Sequence, residues 1–188
     1  MRKLQVVSSY LVLLIAFCAI VYSLQANKSK LPGEDTDIAA PVETTATQQH
    51  SEEIVLEDLL YANPTTINYS EKPTAILFFT SWCPYCNEDA PKVVQLYNKY
   101  KEDVNLYGVN LIYRDDRNDV EAYVNDYQIK YPILMDESGS LYDKYGGSGF
   151  PSLYFFNADG EVIDQIIGST DLETIEDSFI SLQENFKA

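Results

Sequence analysis

Past residue 50 the chain alternates between two textures. Short apolar runs at 74–80 (TAILFFT), 104–112 (VNLYGVNLI), 131–135 (YPILM), 152–156 and 161–167 carry the β-branched and aromatic residues that suit strands. Between them, apolar residues recur at helical spacing. Val93, Val94, Leu96 and Tyr97 mark a helix over 84–100, and shorter periodic stretches predict helices at 120–127 and 141–145. An amphipathic helix over 171–186 follows the last strand. Asn157-Ala158-Asp159-Gly160 lies between the last two strands and has hairpin-turn chemistry. Val55, Leu56, Leu59 and Leu60 fit a first helix that ends before Asn63-Pro64, with a strand over 54–56 as the competing reading. A short strand is expected at 66–69. The alternation, closed by a hairpin and a helix, predicts an α/β fold: a mixed sheet covered on both faces.

The first fifty residues differ in texture. Arg2 and Lys3 precede an uncharged stretch over 4–27, continuously apolar from Tyr10 to Tyr22. Twenty-four helical residues rise about 36 Å, against a hydrocarbon core of roughly 30 Å, so the segment is long enough to span a bilayer. Residues 1–24 are therefore expected to be an uncleaved membrane anchor. A cleaved signal peptide is the alternative, with Val21 and Ser23 as the passable processing site, and Cys18 raises lipidation as a third. Residues 25–50 are rich in Ala, Thr, Gln, Pro and acid and show no period, which reads as a tether. His50 falls in it as a solvated linker residue. The folded domain is expected over 51–188. An N-terminal anchor of this form places the domain after it outside the cytoplasm, so the expected location is a bacterial cell membrane, crossed once.

Charge narrows the partners. Of 13 basic and 29 acidic residues, nine and twenty-five lie beyond residue 50, so the folded part carries the whole net charge of −16. Such a surface repels phosphate backbones, which argues against nucleic acid. His50 is the single histidine, and the cysteines are Cys18, Cys83 and Cys86. That inventory leaves the folded part without a Cys–His or Ser–His catalytic pair, and without ligands for a four-coordinate zinc site; neither metal nor cofactor is expected.

Thr80-Ser81-Trp82-Cys83-Pro84-Tyr85-Cys86 stands where the apolar strand gives way to a helix. Cysteines three apart in a first helical turn are neighbours and can close a disulfide. The first also meets unpaired backbone N–H groups and the positive helix end, which stabilise a thiolate. Pro84 suits the first helical position. Two packing cysteines, half a zinc site, or a structural staple closing a four-residue loop would each waste this placement. The arrangement points to Cys83 as the attacking thiol and Cys86 as the resolving one, with a redox-active Cys83–Cys86 disulfide.

On these residues the chain resembles the thioredoxin superfamily, and within it the TlpA/ResA-like group of membrane-anchored thiol-disulfide oxidoreductases. Pro91, five after Cys86, matches the proline inside the family's active-site helix. Gly149-Phe150-Pro151-Ser152 is similar to its cis-proline loop, and Asp159-Gly160 and Gly168 match its hairpin turn and the glycine before its last helix. Residues 119–135 leave room for that group's extra helix and strand before the loop. The resemblance implies a thioredoxin-like fold, a cis peptide bond before Pro151, and a client-facing surface of Trp82, Pro84, Tyr85, Phe150 and Pro151. It also implies protein thiol and disulfide clients, with an integral membrane thiol carrier as redox partner. Leu77 stands where thioredoxins bury an acid, so another proton acceptor is expected, and Asp89, three after Cys86, is the candidate beside Glu88. Pro84-Tyr85 is glutaredoxin-like, and Phe150 replaces the threonine frequent before the cis-proline. Two alternatives stay open. A copper-delivery protein of this fold would use CxxxC and a histidine in the domain; a thiol peroxidase would use Thr80 but would have proline at Ile76.

Overall fold

The computed structural model describes residues 54–145 and 147–186. The anchor and tether expected over 1–50, with Cys18 and His50, lie outside the described residues. Among the described residues, no helix is long and apolar enough to cross a membrane.

The chain runs β1 (Ile54–Asp58), β2 (Pro64–Ile67), β3 (Thr74–Phe79), α1 (Pro84–Tyr100), β4 (Asn105–Asn110), a 3-10 turn (Ile112–Arg114) and α2 (Arg117–Asp126). It continues with β5 (Ile133–Met135), α3 (Ser140–Lys144), β6 (Ser152–Phe156), β7 (Val162–Ile167) and α4 (Leu172–Phe186). The strands form one seven-stranded mixed sheet in the order β2-β1-β5-β4-β3-β6-β7. Every residue of β3 is buried, as its unbroken apolar run requires of a central strand. It pairs in parallel with β4 and antiparallel with β6, so Phe79 lies opposite Asn110, and Phe78 opposite Ser152.

Alternate residues of the central strands feed two cores. Leu77, Phe79, Leu106, Ile133, Leu153 and Phe155 pack with α1, α2 and α4 on one face. Ile76, Phe78, Val109, Leu134, Tyr154 and Phe156 pack with α3 and the aromatic residues around it on the other. Gly108 in β4 has a packing reason. A Cβ there would come within 2.7 Å of Ile133 Cδ1 and 3.0 Å of the Tyr131 ring. The hairpin turn before β7 closes as expected, with Asn157 N donating to Glu161 O at 3.0 Å and Gly160 at a φ of 77°.

The helical spacing at residues 55–60 does not become a helix. Ile54 and Leu56 turn inward from a strand that pairs with both β2 and β5, while Leu59 and Leu60 belong to the turn after it. Buried Asp58 sets that turn, its carboxylate accepting from Leu60 N at 2.8 Å. Two sheet partners outweigh the local period. Strand β2 likewise lies two residues earlier than expected. The 104–112 run is a strand only as far as Asn110, because the chain then folds into the 3-10 turn that meets the cysteine loop. The expected extra helix and strand are α2 and β5, inserted ahead of the Pro151 loop.

Candidate active site

β3 ends at Phe79, and the next residues carry the cysteines across the top of the sheet into α1. Cys83 is the N-cap residue, with extended backbone and no side-chain cap, and Pro84 opens the helix. Its position puts the Cys83 sulfur at the positive end of a seventeen-residue helix. Both cysteines are free thiols and buried, at 5% and 2% exposure. Their surroundings differ. Burial pushes the Cys86 thiol well up, helped by its hydrogen bond with Cys83, while a bond from the Thr80 backbone opposes the rise.

The Phe150–Pro151 peptide bond is cis, as expected. The loop before β6 lies against the cysteines, where Cys83 Sγ donates to Phe150 O at 3.7 Å. The loop is held from behind. Tyr142 in α3 donates through its hydroxyl to Gly149 O at 3.1 Å and accepts from Gly149 N at 2.8 Å, and its ring stacks on Phe150 at 4.9 Å. α3 is in turn anchored by buried Asp136, whose carboxylate accepts from the backbone N–H groups of Gly139, Leu141 and Tyr142 at 2.9, 3.1 and 3.1 Å.

The cysteine loop is held from the other side by residues the sequence does not advertise. Asp115 accepts from Ser81 N at 2.6 Å, Ser81 Oγ at 2.5 Å and Asn110 Nδ2 at 2.8 Å. Trp82 Nε1 donates to Arg114 O at 2.9 Å. Asn87 Nδ2 bridges Ser81 O at 2.9 Å and Cys83 O at 2.7 Å, and Tyr127 donates to Asn87 Oδ1. Tyr123 donates to Cys86 O at 2.9 Å. Asp116 caps α2, while the fold brings Asp115 to Ser81.

The other expected residues fall into two groups. Trp82, Pro84 and Tyr85 are exposed around the cysteines, and Phe150 is half-buried with its ring edge-on to Trp82 at 6.3 Å. Asp89 is buried on the inner side of α1, accepting from Lys92 Nζ at 2.7 Å and Ser169 Oγ at 2.6 Å. Glu88, its neighbour, is exposed. Leu77, Asp89, Val93 and Pro151 help to line one cavity of about 10 Å³, the room of a single water. Asp89 thus adjoins the ground where Leu77 replaces an acid.

This architecture has known counterparts. The crystal structure of StoA from Bacillus subtilis superposes with a TM-score of 0.60 at 24% identity, covering 66% of this chain and 94% of that one. The fold is thioredoxin-like. A thiol-disulfide oxidoreductase ResA from Bacillus thuringiensis (strain Al Hakam) is 35% identical over 102 residues, 53% of this chain; the match spans 57% of that relative's length. A ResA from Oceanobacillus iheyensis is 26% identical over 179 residues, covering 88% of this chain and 82% of the relative. Residues 40–165, which hold both cysteines and the Pro151 loop, match the AhpC/TSA family, and the chain belongs to that family.

Proposed function

We propose that this protein is a membrane-anchored thiol-disulfide oxidoreductase that reduces disulfides of protein clients outside the cytoplasm. One observation carries the reading: two buried thiols at a helix start, the first with its sulfur 3.7 Å from Phe150 O on the cis-proline loop. The names of the ResA relatives support the same chemistry.

In this reading Cys83 is the nucleophile. Its thiolate attacks one sulfur of the client disulfide, and the other client sulfur leaves as a thiolate and takes up a proton. Cys86 then loses its proton to Asp89 and attacks Cys83 Sγ. The client's remaining thiolate departs, the Cys83–Cys86 disulfide forms, and two electrons have passed to the client. Trp82, Pro84, Tyr85 and Phe150 form the client-facing surface over buried Pro151, and the Phe150 backbone pairs with an extended segment. Residues 1–24 anchor the chain, 25–50 tether it, and 51–188 form the catalytic domain. A dithiol of an integral membrane thiol carrier restores the reduced pair.

The test is exchange by the full-length chain in detergent against a disulfide-bonded protein, with dithiothreitol as electron source. Wild type is expected to turn over, Cys83→Ser to be inert, and Cys86→Ser to accumulate a mixed disulfide through Cys83. Turnover that survives Cys83→Ser sinks the reading.

A thiol peroxidase is a second reading with one observation in its favour. Thr80, three before Cys83, is buried, and its Oγ1 has no hydrogen-bond partner among the described residues. Ile76, where that chemistry uses proline, counts against it. Peroxide consumption by the full-length chain, lost on Thr80→Val, is the result that reading requires.

A further inference from the structure

The rim of the cysteine site is apolar and aromatic, in a domain whose charge is overwhelmingly negative. Arg114 is the exception. Its side chain is exposed, and its guanidinium carbon lies 5.8 Å from the centre of the Phe150 ring. Several other basic side chains have carboxylates: Lys92 pairs with Glu88 and Asp89, Lys99 with Glu176, and Arg117 with Glu57. Arg114 has no carboxylate within the 4.0 Å of an ion pair among the described residues, although Asp115 and Asp116 are its chain neighbours. Asp115 is committed to Ser81 and Asn110, and Asp116 caps α2.

The backbone beneath Arg114 is fixed. Arg114 N donates to Leu111 O at 2.9 Å inside the 3-10 turn, and Arg114 O accepts from the Trp82 indole. The backbone that carries the cation is therefore fixed relative to the loop that carries Cys83, and the guanidinium carbon lies over the Phe150 ring. A cation–π contact of this length leaves the guanidinium N–H donors free for a carboxylate.

Resting on the oxidoreductase reading, we infer that Arg114 is a specificity-determining residue that receives a carboxylate of the client next to its reactive cysteine. The class of client is an extended polypeptide with Asp or Glu at one defined position beside the cysteine. Two electrostatic effects then act with opposite sign and different range. The domain's net charge disfavours acid anywhere in a client. Arg114 favours acid at one position only, because the pair forms at contact distance and its gain is that of a rim ion pair.

The difference in range makes the inference testable. The probes are short peptides, each with one cysteine as a mixed disulfide with 2-mercaptoethanol, and with Glu or Gln placed in turn at each of the two positions on either side. The readout is the ratio of second-order rate constants for the Glu peptide over the Gln peptide, measured in single turnover with the pre-reduced full-length chain in detergent, whose Cys83–Cys86 dithiol supplies the two electrons. Wild type is expected to give about fivefold preference for Glu at one position, and a ratio of one or less at the others. Arg114→Gln is expected to bring that ratio to about one, Arg114→Glu below one, and Arg114→Lys to keep part of it, since the charge remains without the paired guanidinium donors. A wild-type ratio of one or less at all four positions overturns the inference, as does a preference that persists in Arg114→Glu. Failure to reduce any of the peptides overturns the oxidoreductase reading itself, a result distinct from reducing all of them without preference.

Discussion

Cys83 and Cys86 lie in one helical turn but at different depths. Cys86 is deeper, hydrogen-bonded to Cys83, and its thiol is pushed well above the ordinary value of 9.0 by burial. It therefore stays protonated through neutral pH, and thiol-specific alkylation of the reduced chain at pH 7 to 8 is expected at Cys83 alone. Equal labelling of both cysteines by mass spectrometry contradicts this. The same shift has a consequence for stability. A thiol whose pKa rises on folding is held protonated longer in the folded chain, so its contribution is whole below about pH 9 and declines as pH climbs toward the folded value. The disulfide form has no such proton to lose. Denaturant unfolding of both forms at pH 7 and pH 10 is expected to show the dithiol form losing ground to the disulfide form at the higher pH; an unchanged gap refutes it. If Asp89 takes the Cys86 proton, Asp89→Asn slows release of a preformed mixed disulfide by about 10²-fold, the low end for a general base. That is measured in single turnover, and release at the wild-type rate removes Asp89 from the reaction.

At the scale of elements, the short helix α3 matters more to the site than its five residues suggest. Asp136 satisfies the N–H groups of Leu141 and Tyr142 in α3 and of Gly139 just before it, and α3 presents Tyr142, which holds Gly149 and stacks on Phe150. Asp136→Ala leaves those donors buried and unpaired, and is expected to cost about 2–3 kcal/mol. Asp116→Ala removes an exposed cap at α2 and should cost about 1 kcal/mol. Denaturant midpoints compare the two, and equal losses would show that the Asp136 network is not special. The elements most legible in the sequence are those whose own residues impose the period. β3 is an unbroken apolar run, α1 begins at Pro84, and β6 and β7 flank a turn rich in Asn, Asp and Gly. β1 is not legible in that way, because its strand state comes from pairing with β2 and β5, which no local spacing records. The site divides likewise. Cys83, Cys86 and Pro151 belong to short motifs, whereas Asp115 and Tyr142 become neighbours of those motifs only when β4 and β5 take their places in the sheet.

For the molecule as a whole, a net charge of −16 on a chain of this size creates a field that acts before any contact. Basic protein clients are expected to associate faster than neutral ones, and the advantage should shrink as ionic strength rises from 10 mM to 0.15 M, where the Debye length falls from about 30 Å to about 8 Å. Stopped-flow reduction of two client proteins of opposite charge tests this, and salt-independent rates for both exclude a long-range contribution. The fold also concentrates one optical property at the place where the chemistry is expected. Trp82 is the single tryptophan of the chain. It precedes Cys83, is half-exposed at 55%, and is fixed through its indole N–H to Arg114 O with the edge of Phe150 beside it. The protein thus carries one indole, next in sequence to Cys83 and competing with no other. Emission excited at the red edge of tryptophan absorption, beyond the fifteen tyrosines, reports from this one point, so oxidation, client docking and re-reduction can be followed without a label.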